Sequence, residues 1–235
     1  MFRNEACTIN GKHTYRDYGL YVANSMPVSP PVVRRQTVEV PGRNGDVDLT
    51  EALTGYPLYD NRQITLVLNG KKPHKDWPKF ISSFLNEVHG KKVRVIFDND
   101  PNYYYEGRAE VEAEITRGEE VCSFQVIVDV APYKLRTDET DGWIWDTFSF
   151  EDGEIIDYSE IAISGETEVK VQVEAMPVIP VITASAAMTV EYRGKTYSLT
   201  AGENKVYGIT LMQGENELTF TGTGTVGIRY RNGRL

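Results

Sequence analysis

The residues of this 235-residue chain best suited to acid–base or metal chemistry are its three histidines, His13, His74 and His89. Protein zinc sites draw His and Cys ligands from paired, closely spaced positions. None of the three has a His or Cys partner at such a spacing, and the only cysteines are Cys7 and Cys122. Asp98-Asn99-Asp100-Pro101 followed by Glu106 offers the oxygen ligands that calcium takes. It lacks the length and central glycine of a calcium-binding loop, and its residue types are those of a strand-end turn. Residues 41–46, PGRNGD, are glycine-rich. No Lys-Ser/Thr pair and no helix start follows, as a phosphate loop would need, so the segment reads as a tight turn. The chain has no Gly-x-Ser-x-Gly elbow and no paired-cysteine motif. Glu110, Glu112 and Glu114 could supply two carboxylates for glycoside hydrolysis. Their alternation with Val111, Ala113 and Ile115 is more simply that of a half-buried strand with an acidic outer face. Tyr103, Tyr104 and Tyr105, and further on Trp143 and Trp145, could stack on sugars, but aromatic residues near a domain junction also fill small satellite cores. The sequence thus designates no catalytic residue, no cofactor-binding residue and no metal ligand, and it assigns no binding residues.

The elements that would have to position such groups are mostly strands. Residues 62–69 (RQITLVLN, ending at Gly70), 92–97 (KVRVIF) and 121–130 (VCSFQVIVDV) have strand composition and alternation. The last puts Cys122, Phe124, Val126, Val128 and Val130 on one face. One helix stands out. Trp77, Phe80, Ile81, Phe84, Leu85 and Val88 form a single apolar stripe at helical spacing. Pro73 or Asp76 would open it, Pro78 is tolerated in its first turn, and Gly90 suits a left-handed close. Residues 27–33, PVSPPVV, read as a rigid extended connector.

After Tyr133 the texture changes. Residues 136–160 are acidic, with Trp143, Trp145, Phe148 and Phe150 among the charges. Alternating segments then follow at 169–175, 188–194, 217–222 and 225–231, separated by turn signals at Gly165, Gly194, residues 201–204, residues 214–216, and Gly222 with Gly224. The expected fold is mainly β. It consists of an α+β domain over residues 1–135, with one amphipathic helix on a sheet, and a β-sandwich over 136–235.

Of the net charge of −9, residues 1–135 contribute −1 and residues 136–235 contribute −8. Phosphates need cationic partners, so no nucleic-acid recognition is expected. No run of apolar residues is long enough for a membrane helix, the N-terminus has no secretory pattern, and sparse cysteine use fits synthesis in a reducing cytoplasm.

Several landmarks in order carry a family resemblance. They are residues 10–22 (NGKHTYRDYGLYV), residues 40–49 (VPGRNGDVDL), Asn61-Arg62 before a strand, the Trp77 helix, Asp100-Pro101 with Tyr103 to Tyr105 and Glu106-Gly107-Arg108, and residues 124–133 (FQVIVDVAPY). Together they resemble siphophage distal tail (Dit) proteins, although no cysteine stands near Asp129-Val130, where the family usually has one. Pro177, Pro180 and residues 214–235 are similar to the galectin-like sandwich that many of these proteins carry.

The resemblance implies a non-enzymatic structural protein of a phage or prophage tail tip (baseplate), made and assembled in the host cytoplasm. It implies a homo-oligomer, a hexameric ring, joining the tail tube protein to the tail-tip protein. The C-terminal domains would point outward, in some phages towards a receptor-binding protein. It implies no cofactor and no membrane insertion. Two rival readings are a carbohydrate-binding lectin using Trp143, Trp145 or Tyr192, and a tail-associated cell-wall hydrolase.

Overall fold

A computed structural model describes residues 6–23, 27–71, 74–112, 116–117, 121–137 and 158–235. Strands make up 53% of it and helices 10%, the mainly β class that the sequence predicts. The chain divides into two compact units, Met1–Lys134 and Leu135–Leu235.

In the first unit the elements are β1 (Cys7–Ile9), β2 (Lys12–His13), α1 (Thr14–Tyr18), β3 (Leu20–Val22), β4 (Thr37–Val38), β5 (Val47–Asp48), β6 (Arg62–Lys71), α2 (Trp77–Val88), β7 (Lys92–Phe97), β8 (Tyr103–Val111), β9 (Thr116–Arg117) and β10 (Val121–Val130). Seven strands form an antiparallel path in the order β2-β1-β7-β8-β10-β6-β3, and β9 pairs with β10. The alternation in the sequence decides the core face. Ile64, Leu66 and Leu68 of β6 and Phe124, Val126, Val128 and Val130 of β10 are buried together with Trp77, Ile81, Phe84 and Val88 of α2. Phe80 and Leu85 pack partly buried along the same helix. Tyr18 and Phe124 both meet the Phe84 ring edge-on, with centroids 5.2 and 5.3 Å away. β6 runs past the expected end at Gly70 to Lys71. β8 ends at Val111, and the rest of the segment read as one strand over 109–115 is either outside β8 or, for residues 113–115, outside the described residues.

The helix opens at Asp76, whose side chain makes no capping hydrogen bond, and Pro78 sits in the first turn. At its end Gly90 takes the left-handed φ that the sequence reading expects of it. His89 is extended (φ −64°, ψ 130°) and Gly90 has φ 73°. The Lys91 N–H bonds to the Val88 carbonyl at 3.2 Å. Those angles are a type II turn with glycine at its third position. The Gly90 N–H is spent on the strand β8, at the Ala109 carbonyl, 2.7 Å away.

The second unit holds β12 (Ile161–Val173), β13 (Val181–Ala184), β14 (Met188–Tyr192), β15 (Lys195–Leu199), β16 (Gly202–Lys205), β17 (Gly214–Arg229) and β18 (Gly233–Arg234), with β11 (Lys134–Arg136) leading into it. Six of these strands form one hydrogen-bonded network in the order β15-β14-β17-β13-β16, with β12 along β17. It encloses one core that includes Val171, Ile182, Val190, Leu218, Phe220 and Ile228. The sequence reading places a turn at Gly222 and Gly224, yet β17 passes through both without a break. These glycines mark close approach: a Cβ at Gly222 would meet Met188 Cβ at 2.7 Å, and one at Gly224 would meet Ser185 Oγ at 2.4 Å. Gly165 likewise lies inside β12, and residues 202–204 lie inside β16.

Candidate assembly surface

The groups singled out for chemistry are engaged in building the fold. His13 caps α1: its Nδ1 accepts the backbone N–H groups of Tyr15 and Arg16 at 3.2 and 3.1 Å. His89 Nδ1 accepts the Val111 N–H at 3.0 Å. The side chain of His74 lies outside the described residues. Asp98 pairs with His13 at 3.0 Å and Asp100 with Lys134 at 2.7 Å. The turn reading of this segment fits the Asp100 N–H bond to the Phe97 carbonyl at 3.0 Å. No group of three or more His, Cys, Asp or Glu side chains among the described residues could hold a metal ion. Glu110 and Glu112 are exposed, and Glu114 lies outside the described residues.

The three tyrosines after Asn102 are all buried, and each ring faces a cation: Lys134 4.9 Å from Tyr103, Arg94 4.7 Å from Tyr104, and Arg62 5.0 Å from Tyr105. Cation–π contacts of this kind occupy the faces that a sugar would stack on. Gly107, next in this strand, lies so close to β10 that a Cβ would sit 2.0 Å from the Asp129 carbonyl oxygen. Tyr192, named for the lectin reading, is buried too. Its hydroxyl donates to the Thr210 carbonyl at 2.7 Å and lies 3.0 Å from Asn216 Oδ1. Trp143, Trp145, Phe148 and Phe150 lie outside the described residues.

What the first unit leaves uncovered is an arm. Residues 27–34 run antiparallel to 58–65, joined by bridges Val28–Ile64 and Val33–Tyr59. The Asp60 N–H bonds to the Val32 carbonyl and the Arg34 N–H to the Leu58 carbonyl, both at 2.8 Å. Arg34 and Asp60 form an ion pair at 2.5 Å, and Tyr59 meets Tyr133 edge-on with centroids 5.8 Å apart. Further out β4 pairs with β5, Thr37 opposite Asp48 and Val38 opposite Val47, around the PGRNGD turn.

Six of the nine exposed large apolar side chains described lie on this arm: Val32, Val38, Val40, Leu49, Leu53 and Leu58. Leu53 is 89% exposed and Val32 65%. Apolar residues scattered singly on a surface are ordinary, but these six are concentrated on one segment of the chain, residues 32–58. The sequence reading took 27–33 as a connector and 41–46 as a turn. The alternation on either side, Val38 and Val40 before the turn and Val47 and Leu49 after it, is the hairpin signal it passed over.

No family model matches the sequence, and no curated protein matches it. A solved structure does. It is the SPP1 Dit protein, described as a paradigm of the hub adsorption apparatus in phages that infect Gram-positive bacteria. The alignment covers 99% of this chain and 100% of that one, with a TM-score of 0.57 and 13% identity. The chain has the Dit fold. The likeness runs through both units.

Proposed function

We propose that this chain is the ring-forming hub of a phage or prophage tail tip, a structural protein and not an enzyme. The observation that carries this reading is the Dit fold extending over essentially the whole chain. The arm supports it from the chain's own residues. A closed ring of more than two copies has a heterologous interface, in which one patch on each copy meets a different patch on the next. A projecting hairpin with exposed Val38, Val40, Leu49 and Leu53 is a suitable first patch. The ring would be hexameric and would join the tail tube protein to the tail-tip protein.

In the same reading the second unit is an adaptor towards a receptor-binding component. Its outward β12–β17 face carries Glu166, Glu168, Glu215 and Glu217. Lys170 sits among them, 2.8 Å from Glu215 and 3.8 Å from Glu217. An acidic face of this kind favours a basic docking partner through its rate of association.

The test is electron microscopy of the purified full chain mixed with tail tube and tail-tip proteins of the same phage or prophage. The hub reading predicts a ring stacked coaxially between the two. Failure to form a complex with either protein removes it.

A further inference from the structure

The outer arm and the start of α2 carry opposite charge. Residues 35–56 hold four acids, Glu39, Asp46, Asp48 and Glu51, against two bases, Arg35 and Arg43. All four acids are exposed. The pairing of Thr37 with Asp48 and of Val38 with Val47 sets a register in which Glu39 faces Asp46, on the same side of the hairpin as Asp48. Val38, Val40, Val47 and Leu49 take the other side. Like charges directly opposite on paired strands repel.

Lys71 closes β6, Lys75 lies in the helical turn that leads into α2, and Lys79 lies in the first turn of α2. All three are exposed, and Asp76 is the one acid among them. Lys75 and Lys79 are four residues apart, the spacing at which like charges on a helix repel. The arm leaves β6 at its Arg62 end, and β6 is ten residues long. At the usual strand rise, Lys71 is about 30 Å from that end. An acidic patch and a basic patch thus stand at opposite ends of one strand. A patch that meets a different patch on the next copy is the head-to-tail arrangement that a ring requires.

We propose that Lys71, Lys75 and Lys79 are the receiving patch of the ring contact: they take the carboxylates of Glu39, Asp46 and Asp48 from the arm of a neighbouring copy. The inference rests on the ring reading above and supplies the second patch that a heterologous interface requires. Each cluster repels itself in the isolated chain, and pairing across copies relieves both, so the contact favours assembly over the lone protomer. Single exposed ion pairs are weak, so this contact sets the orientation and rate of docking, and the apolar side of the hairpin is left free to be buried.

The test is a charge swap in the full-length chain, alone and with the tail-tip protein. One variant carries Lys75→Glu with Lys79→Glu, a second carries Glu39→Lys with Asp48→Lys, and a third carries all four changes. Light scattering reads assembly over a concentration series, and thermal unfolding is followed below the assembly range. All four positions are exposed, so each variant should unfold close to the wild-type temperature. Each double variant should need a concentration about tenfold higher or more to assemble, and the fourfold variant should recover most of that loss. If a reversal fails to fold, glutamine at the same positions replaces it and should also weaken assembly. Variants that assemble like the wild type overturn the contact and leave the ring standing. Weakened assembly that the fourfold variant does not restore also overturns it, because the two patches would then not face each other. Lysine variants that lose only the tail-tip protein assign the patch to that partner and overturn it too. Reversed and glutamine variants that both fail to fold overturn it as well, because the charges would then serve the protomer itself. A wild type that never assembles, even with its tail-tip partner, removes the ring reading and this contact with it.

Discussion

His13 Nε2 lies 3.0 Å from Asp98 Oδ2. Its Nδ1 accepts two backbone N–H groups of α1, so the ring proton is on Nε2 and points at Asp98. One imidazole thus caps a five-residue helix and ties it to the turn after β7. Replacing the cap acceptor with alanine should cost about 1–2 kcal/mol. His13→Asn keeps an acceptor at the cap and loses only the part-exposed hydrogen bond to Asp98, so it should cost less. Urea unfolding of both variants checks this, and equal losses would mean that the Asp98 contact dominates.

Phe84 is 1% exposed and lies between the rings of Tyr18 and Phe124. Phe84→Ala leaves a cavity between α2 and the sheet and should destabilise the protein by about 3–5 kcal/mol in a denaturant titration. A loss under about 1 kcal/mol would mean that the helix face is not part of the core.

Two carboxylates give the first unit a defined response to acid. Hydrogen bonds from Lys92 and Arg94 hold Glu106 below its ordinary pKa. Bonds from Lys12 and the Tyr18 hydroxyl do the same for Glu87. A depressed folded-state pKa stabilises above the unfolded-state value, about 4.3 for Glu, and that stability is lost as pH falls through the lower, folded-state value. Glu106→Gln should therefore lower the unfolding temperature at pH 7, with the difference from wild type closing as the solution is taken below pH of about 4. A difference that persists unchanged in acid would assign the effect to shape rather than charge.

The first unit has its own core. A fragment of residues 1–135 should therefore fold alone and show helical and strand signals by circular dichroism. An unfolded fragment beside a folded full chain would show that the two units depend on one another.

Legibility in the sequence followed the strength of each local signal. The α2 stripe from Trp77 to Val88 and the alternation of β7 and β10 each bury one side of an element, and those positions were readable with nearly their observed limits. Helix α1 was not readable, because five residues give no period and its cap is a histidine, outside the usual set of capping residues. The glycines of β17 were read as turns because a glycine needed for close packing looks the same in sequence as one needed for a bend. The candidate surface was legible only in part. The hairpin pattern around PGRNGD is present, but whether Val38, Val40, Leu49 and Leu53 find a core depends on what folds over them, which is a tertiary fact.

The central claim is that this chain closes into a ring through its arm, and its solution mass tests that most directly. Light scattering of the full chain, alone and with its tail-tip partner, should give a discrete closed oligomer of about six copies. Leu53→Asp, which puts a charge at the most exposed apolar position of the arm, should shift that mass towards one chain while leaving the fold intact. A protein that stays monomeric at high concentration and with its partner present would contradict the account.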